Sequence, residues 1–301
     1  MEQEDLEKKS REVFHEIHKI QGSDQKIFNR ISNLLSPEYL RVSNDFFKEK
    51  ICLDAGCGSN ANATYKMLRM GAKKVYAFDL DETIFRCAGQ ILKEFDGRYE
   101  LSCGNVLNMS FDDNFFDFTH CAGVLHHTHD VFRGLSELAR VTNIGGILYI
   151  ETYGKGGLVR EITSMLREKY MEDERFRFVV ENLQPTDLTG AIKWIFSVME
   201  EHGDVSGKKI PWRHIEELID NDLILTIKDR IMAPSYEENS EEELVNWLND
   251  NGFTEIERLT RYPMIKNIRK FLSPFYFKYD SEMARFLYGS GGVQLKAVKD
   301  K

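Results

Sequence analysis

The sequence predicts a doubly wound α/β protein, in which a mostly parallel sheet is covered by helices on both faces and interrupted by a largely helical insertion. Three observations carry that prediction. Short apolar runs alternate with helix-like segments between residues 50 and 151, the pattern of βαβ units with right-handed crossovers. The first apolar run ends in a glycine-rich turn, Gly56-Cys57-Gly58. The rhythm then stops after Gly156-Gly157 and returns only near Ser240.

Each element follows from local pattern. Leu6, Val13, Phe14, Ile17 and Ile20 recur at helical spacing, so residues 2–20 read as an amphipathic helix. A second helical stretch spans about 27–35, and Ser36-Pro37 breaks or restarts it. Residues 50–54 form the first strand, 61–70 a helix, 75–79 the second strand, 82–95 a helix and 99–103 the third strand. Residues 116–121 give the fourth strand, 131–141 a helix and 146–151 the fifth strand. Residues 158–232 read as broken amphipathic helices rich in aromatics, and Trp194 and Trp212 are expected in the core. Ser240-Glu241-Glu242-Glu243 carries a helix N-cap signature, and Gly252 closes that helix. Residues 253–259 and 293–298 are the last two strands.

Composition restricts the class. With 301 residues, 42% of them hydrophobic and 30% charged, the chain can bury a substantial core. No apolar run approaches the roughly 20 residues of a membrane span, and the charged start lacks the apolar centre of a signal peptide. A cytoplasmic protein with no membrane partner is therefore expected. The five cysteines form no C-x-x-C pair, which points to neither a disulfide framework nor a zinc knuckle. A net charge of −9 disfavours tight non-specific attachment to nucleic acid.

The most informative stretch is Leu53-Asp54-Ala55-Gly56-Cys57-Gly58-Ser59-Asn60-Ala61. Glycines at a strand-to-helix turn let the backbone approach a bulky ligand. Gly56, Gly58 and Ala61 also satisfy the loose dinucleotide fingerprint, and a plain tight turn would explain them as well. Asp54 alters the balance, because a carboxylate aimed into the turn repels a pyrophosphate but suits a cationic sulfonium ligand. Asp79 ends the next strand about 25 residues later, where a carboxylate can accept from both ribose hydroxyls. Gly104-Asn105-Val106 follows the third strand, where an amide and a backbone N–H can read an adenine edge.

These motifs, followed by Phe111-Asp112-Asp113-Asn114-Phe115-Phe116-Asp117-Phe118, Gly123-Val124-Leu125-His126-His127 and Gly145-Gly146-Ile147-Leu148, stand in one order. In that order the chain resembles the class I S-adenosylmethionine-dependent methyltransferases, over residues 51–151 and again over 241–259. The resemblance implies a seven-stranded Rossmann-like sheet with an antiparallel last strand, and S-adenosyl-L-methionine as cofactor. It implies that Asp54, Gly56, Cys57 and Gly58 line the methionine portion and that Asp79 holds the ribose. Leu80 would lie against the adenine, Asn105 and Val106 at its edge, and Ala122 or Gly123 beneath the cofactor. Two positions depart from the family: Asn60, where glycine is common, and Asn105, where aspartate is usual. Three regions are expected: N-terminal helices and cofactor-binding core (1–154), a helical lid for substrate recognition (155–239), and the return to the sheet (240–301).

Candidate chemistry sits after the fourth and fifth strands. His126 is the first candidate for general base or acceptor contact, and His127 for a packed structural histidine. A metal site would need further ligands at suitable spacing, which His126, His127 and His129 lack; no metal is expected. His126 is expected to face the opposite way from His127 along an extended segment. Glu151 and Tyr153 end the fifth strand, and Tyr153 is a candidate acceptor contact. Arg230 is expected in a surface salt bridge, with Tyr236 near it. The expected activity is methyl transfer to oxygen or nitrogen of a small or medium-sized metabolite, by a monomer or homodimer; the acidic balance disfavours an RNA or protein acceptor, which stays the lesser alternative. The rivals are an NAD-dependent oxidoreductase and a non-catalytic cofactor-binding partner subunit.

Overall fold

The computed structural model describes residues 3–23, 27–29, 35–81, 85–202, 212–260 and 280–301. Seven strands form one sheet: β1 (Ile51–Ala55), β2 (Lys74–Asp79), β3 (Tyr99–Cys103), β4 (Phe116–Ala122), β5 (Thr142–Tyr153), β6 (Phe253–Arg258) and β7 (Gly292–Lys299). Their order is β3-β2-β1-β4-β5-β7-β6. Strands β1 to β5 pair in parallel, whereas β7 runs antiparallel to both β5 and β6. The order reverses between β1 and β4, so a crevice opens at their carboxyl ends, where open α/β sheets bind ligands.

The helices are α1 (Gln3–Ser23), α2 (Asn62–Arg69), α3 (Phe85–Leu92), α4 (Val131–Val141), α5 (Leu158–Glu172), α6 (Glu174–Asn182), α7 (Pro185–Glu201), α8 (Trp212–Leu218), α9 (Asn221–Met232), α10 (Glu241–Asp250) and α11 (Glu282–Tyr288). A single turn, Pro37–Leu40, is capped by the Ser36 hydroxyl accepting from the Tyr39 N–H. Asp130 caps α4 in the same way through Arg133 N–H. Ser240 and Glu243 form a reciprocal capping box on α10.

Both faces of the sheet are buried, which is why its strands read as continuous apolar runs rather than alternating ones. Neighbours along β1 go to opposite sides. Leu53 joins Phe116, Leu135, Leu148, Leu244 and Leu248 on one face. Cys52 joins Met67, Leu68, Val75, Phe118 and Tyr149 on the other. Cys57 and Cys121 are also buried, Cys103 is exposed, and all five cysteines are free. No described helix is long and apolar enough to cross a membrane.

Several elements differ from expectation. Strand β5 starts at Thr142, because Thr142 pairs with Phe116 and its hydroxyl bonds Thr119 and the Leu138 carbonyl. The helix expected over 82–95 is α3 followed by a tight 3-10 turn, Lys93–Phe95, and residues 82–84 lie outside the described residues. Of the stretch 27–35, residues 27–29 are helical and 30–34 lie outside. The insertion is helical as α5 to α9, apart from residues 203–211, which lie outside. Trp194 is 68% exposed rather than in the core; it stands on α7, which buries none of its residues. Trp212 packs edge-on against Phe196.

Helix α1 lies against the insertion. Its Ile17 packs with Ile27 and with Leu225 of α9, and Val13, Phe14 and Ile20 flank them. That apolar stripe is the one its sequence spacing specifies.

Candidate active site

A cavity of about 460 Å³ opens at the carboxyl ends of β1, β2, β4 and β5. The turn after β1 shapes its floor. Gly56 has φ +74° and Gly58 φ +62°, and a Cβ on Gly56 would collide with the Val124 side chain. Only glycine combines that conformation with that approach. The amides of Gly56 and Cys57 both donate to the Phe78 carbonyl, at 2.9 and 3.0 Å, which ties the turn to β2. Ala61 begins α2 in the left-handed region at φ 42°, a strained position for a residue with a Cβ.

Asp54 lines the cavity, but its carboxylate is already engaged. Oδ2 accepts from the Thr64 amide (2.9 Å) and hydroxyl (2.6 Å), and Oδ1 lies 3.0 Å from His120 Nδ1. The parallel register sets Asp54 beside His120, and the His120 ring stacks on Tyr149. Asp54 thus fixes the first turn of α2 and orients His120. Asp79 accepts from the Gly58 amide at 3.0 Å, and Leu80 and Val106 form the adjoining wall. Asn105 accepts from the Leu107 amide and donates to Glu7 of α1. Asn60 donates to the Gln21 carbonyl of α1, so its amide serves the helix contact.

On the other side of the crevice, Leu125–His127 form a 3-10 turn rather than an extended segment. His126 and His127 consequently both border the same cavity and do not face opposite ways. The His126 ring stacks on Tyr153 with centroids 3.7 Å apart. Burial pushes its pKa well below the ordinary value, with His127 adding to that effect. His127 packs on Phe14 and bridges the Ser235 carbonyl (3.3 Å) and Asp229 (3.3 Å). The Tyr153 hydroxyl donates to Asp229 at 2.5 Å. Burial and the Asp229 carboxylate raise the phenol well above its usual range. Burial works to raise Asp229 as well, but His127 and the Tyr153 hydrogen bond outweigh it and hold that carboxyl well below its ordinary value.

Behind this group, the Arg160 guanidinium lies over the Tyr153 ring at 4.3 Å and donates to the Tyr236 hydroxyl. Arg230 also borders the Tyr153 ring, at 5.8 Å. Its position on α9 turns it inward beside the buried tyrosine.

Every residue singled out for cofactor or catalysis borders this one cavity: Asp54, Gly56, Cys57, Gly58, Asp79, Leu80, Asn105, Val106, Ala122, His126, His127 and Tyr153. A lid from the insertion was expected, but the part played by α1 and the individual wall residues were not. Arg11, Phe14 and His18 of α1, and Asp222, Thr226 and Asp229 of α9, complete the walls. His120 also went unnoticed, although it precedes Ala122 by two residues on the same face of β4. Four lining residues keep a buried polar atom without a protein partner: His18 Nδ1, Asn62 Oδ1, His126 Nδ1 and Thr152 Oγ1. Such atoms imply a polar occupant. A nucleoside carrying an amino-acid tail fits that donor and acceptor set. Among the described residues, no group of three or more His, Cys, Asp or Glu side chains could hold a metal ion.

Residues 53–150 match the family model of the methyltransferase domain. Among curated proteins, the tRNA U34 carboxymethyltransferase of Nautilia profundicola is 32% identical over 123 residues, which cover 40% of this chain and 38% of that protein. The demethylmenaquinone methyltransferase of Thermobifida fusca is 29% identical over 129 residues, covering 41% of this chain and 54% of that protein. The chain spans about half or less of the length of the curated relatives it matches. Among solved structures, magnesium protoporphyrin IX methyltransferase from Synechocystis with bound SAH aligns at TM-score 0.45 and 14% identity, covering 90% of this chain and 83% of that one. The glycine turn, the strand order and the family match agree: over residues 53–150 the chain matches a methyltransferase domain.

Proposed function

We propose that the chain transfers a methyl group from S-adenosylmethionine to oxygen or nitrogen of a small or medium-sized metabolite. One observation carries this reading: the cofactor turn and the His126–Tyr153 pair share a single cavity, roofed by α1 and α9. A polymeric acceptor would have to displace that roof, whereas a small molecule fits beneath it. The same reading divides the chain into core (1–154), helical lid (155–239) and returning sheet (240–301), and the wall supplied by α9 of the insertion supports it.

S-adenosylmethionine supplies an electrophilic methyl group on a sulfonium. The chain supplies alignment, exclusion of water and a place for the acceptor's proton. Gly56, Gly58 and Asp79 are the candidates to hold the nucleoside and amino-acid ends. His126 is the candidate base: burial keeps the imidazole neutral, and its Nδ1 has no protein partner. Tyr153 has its hydroxyl committed to Asp229 and acts by holding the His126 ring. His127 and Asp229 hold Tyr153 in turn.

A first test is His126→Ala. Turnover is expected to fall at least about tenfold, with affinity for S-adenosylhomocysteine near wild type; unchanged turnover removes His126 from the reaction. Exposing a metabolite extract to the protein with isotopically labelled methyl donor finds the acceptor. Label in small molecules supports the reading, and label confined to RNA or protein overturns it. Calorimetry that registers NAD and not S-adenosylhomocysteine would favour an oxidoreductase instead.

A further inference from the structure

We infer that Glu7, carried on α1, is the carboxylate that recognises the exocyclic amine of the cofactor's adenine, and so makes the N-terminal helix part of the nucleoside site. The inference rests on the S-adenosyl reading of the cavity and adds to it a residue outside the family-matched segment.

Asn105 follows β3 and borders the cavity, yet its amide is fully spoken for. Its Oδ1 accepts from the Leu107 amide at 2.9 Å, and its Nδ2 donates to Glu7 Oε1 at 2.8 Å. The two partners agree on one amide orientation: oxygen toward a donor, nitrogen toward an acceptor. Asn105 therefore presents N–H groups outward. An adenine amine also presents N–H groups, so the two would meet donor to donor. A carboxylate has only acceptors, and Glu7, though not itself a lining residue, meets Asn105, which is one.

Its placement is specified by the rest of the helix. The His15 ring meets Asp81 at 2.6 Å, the His18 carbonyl accepts from Ser59 Oγ, and the Gln21 carbonyl accepts from Asn60 Nδ2. Along α1, contacts thus fall in turn on the loops after β3, β2 and β1. Glu7 also stands one helical turn before Arg11 and two before Phe14, both of which line the cavity. A half-buried carboxylate at that position selects a purine bearing an amine over one bearing a carbonyl, because a carbonyl would face it acceptor to acceptor.

The test is calorimetric binding to the full chain of S-adenosylhomocysteine and of S-inosylhomocysteine, which differ along one purine edge: amine and bare N1 in the first, carbonyl and N1–H in the second. Wild type is expected to prefer the adenine compound by at least about tenfold. Glu7→Ala is expected to weaken the adenine compound about tenfold and leave the inosine compound nearly unchanged, so that the preference collapses. Adding Asn105→Asp to Glu7→Ala is expected to restore most of it. Retention of the wild-type preference by Glu7→Ala overturns the assignment. An equal loss for both compounds marks Glu7 as a helix-docking residue and overturns it too. Failure of wild type to bind either compound overturns the S-adenosyl reading itself, an outcome distinct from the other two.

Discussion

His126 shows how burial sets the behaviour of a single residue. Its imidazole is only 2% exposed and lies between Tyr153 and His127. In the unfolded chain it takes up a proton near pH 6.5, whereas in the folded protein it refuses that proton. The unfolded state therefore binds more protons below that value. The contribution to stability is complete above about pH 6.5 and is lost progressively as pH falls beneath it. His126→Phe keeps a flat ring and removes the proton site. Its urea midpoint should consequently drop less than wild type between pH 7.5 and pH 5.5, and equal drops would show that His126 titrates alike in both states. The residues of this group were unevenly legible in the sequence. The histidines announced themselves by following a strand of the sheet. Asp229 and Glu7 carry no such mark, since each is one acid on a charged helix and gains meaning only from a partner distant in the chain.

The elements most legible in advance were those whose pattern is local. Capping residues, glycine turns and apolar runs located β1, β2, β4 and α10 within a few residues. Elements fixed by pairing were less legible: the early start of β5 depends on Thr142 meeting Phe116 and Thr119, which no local window contains. The same distinction explains Trp194. A tryptophan reads as core by composition, but α7 presents no buried face to hold it. The β1–α2 turn is under tight local constraint. Gly56→Ala would force a left-handed residue and drive its methyl into Val124. A loss of roughly 1–3 kcal/mol of stability is expected, together with weakened S-adenosylhomocysteine binding. Thermal melting and calorimetry check both, and a variant that melts and binds like wild type would show that the turn tolerates a side chain.

At the scale of the whole molecule, the last strand closes the structure. Lys299 ends β7 and buries its ammonium, donating to Asn114 Oδ1 at 2.8 Å and to the carbonyls of Ala139 and Thr142 at 2.7 and 2.9 Å. It joins the chain's end to the exit of α4 and the entry of β5. Lys299→Met removes the donor and leaves three acceptors short of a partner, each costly when buried. The expected loss is about 2–4 kcal/mol, read as a lowered urea midpoint; an unchanged midpoint would mean that water replaces the ammonium at no cost.

The roof helix has a further consequence, for the order in which the molecule is made. Helix α1 is synthesised well before its partners Asp81, Asn105 and Leu225. With an apolar stripe and no surface yet to cover, it must wait through the synthesis of the sheet and insertion. The helix is thus made before every surface on which it docks. The nucleoside cleft of a nascent chain stays unroofed until the strands beneath it have closed.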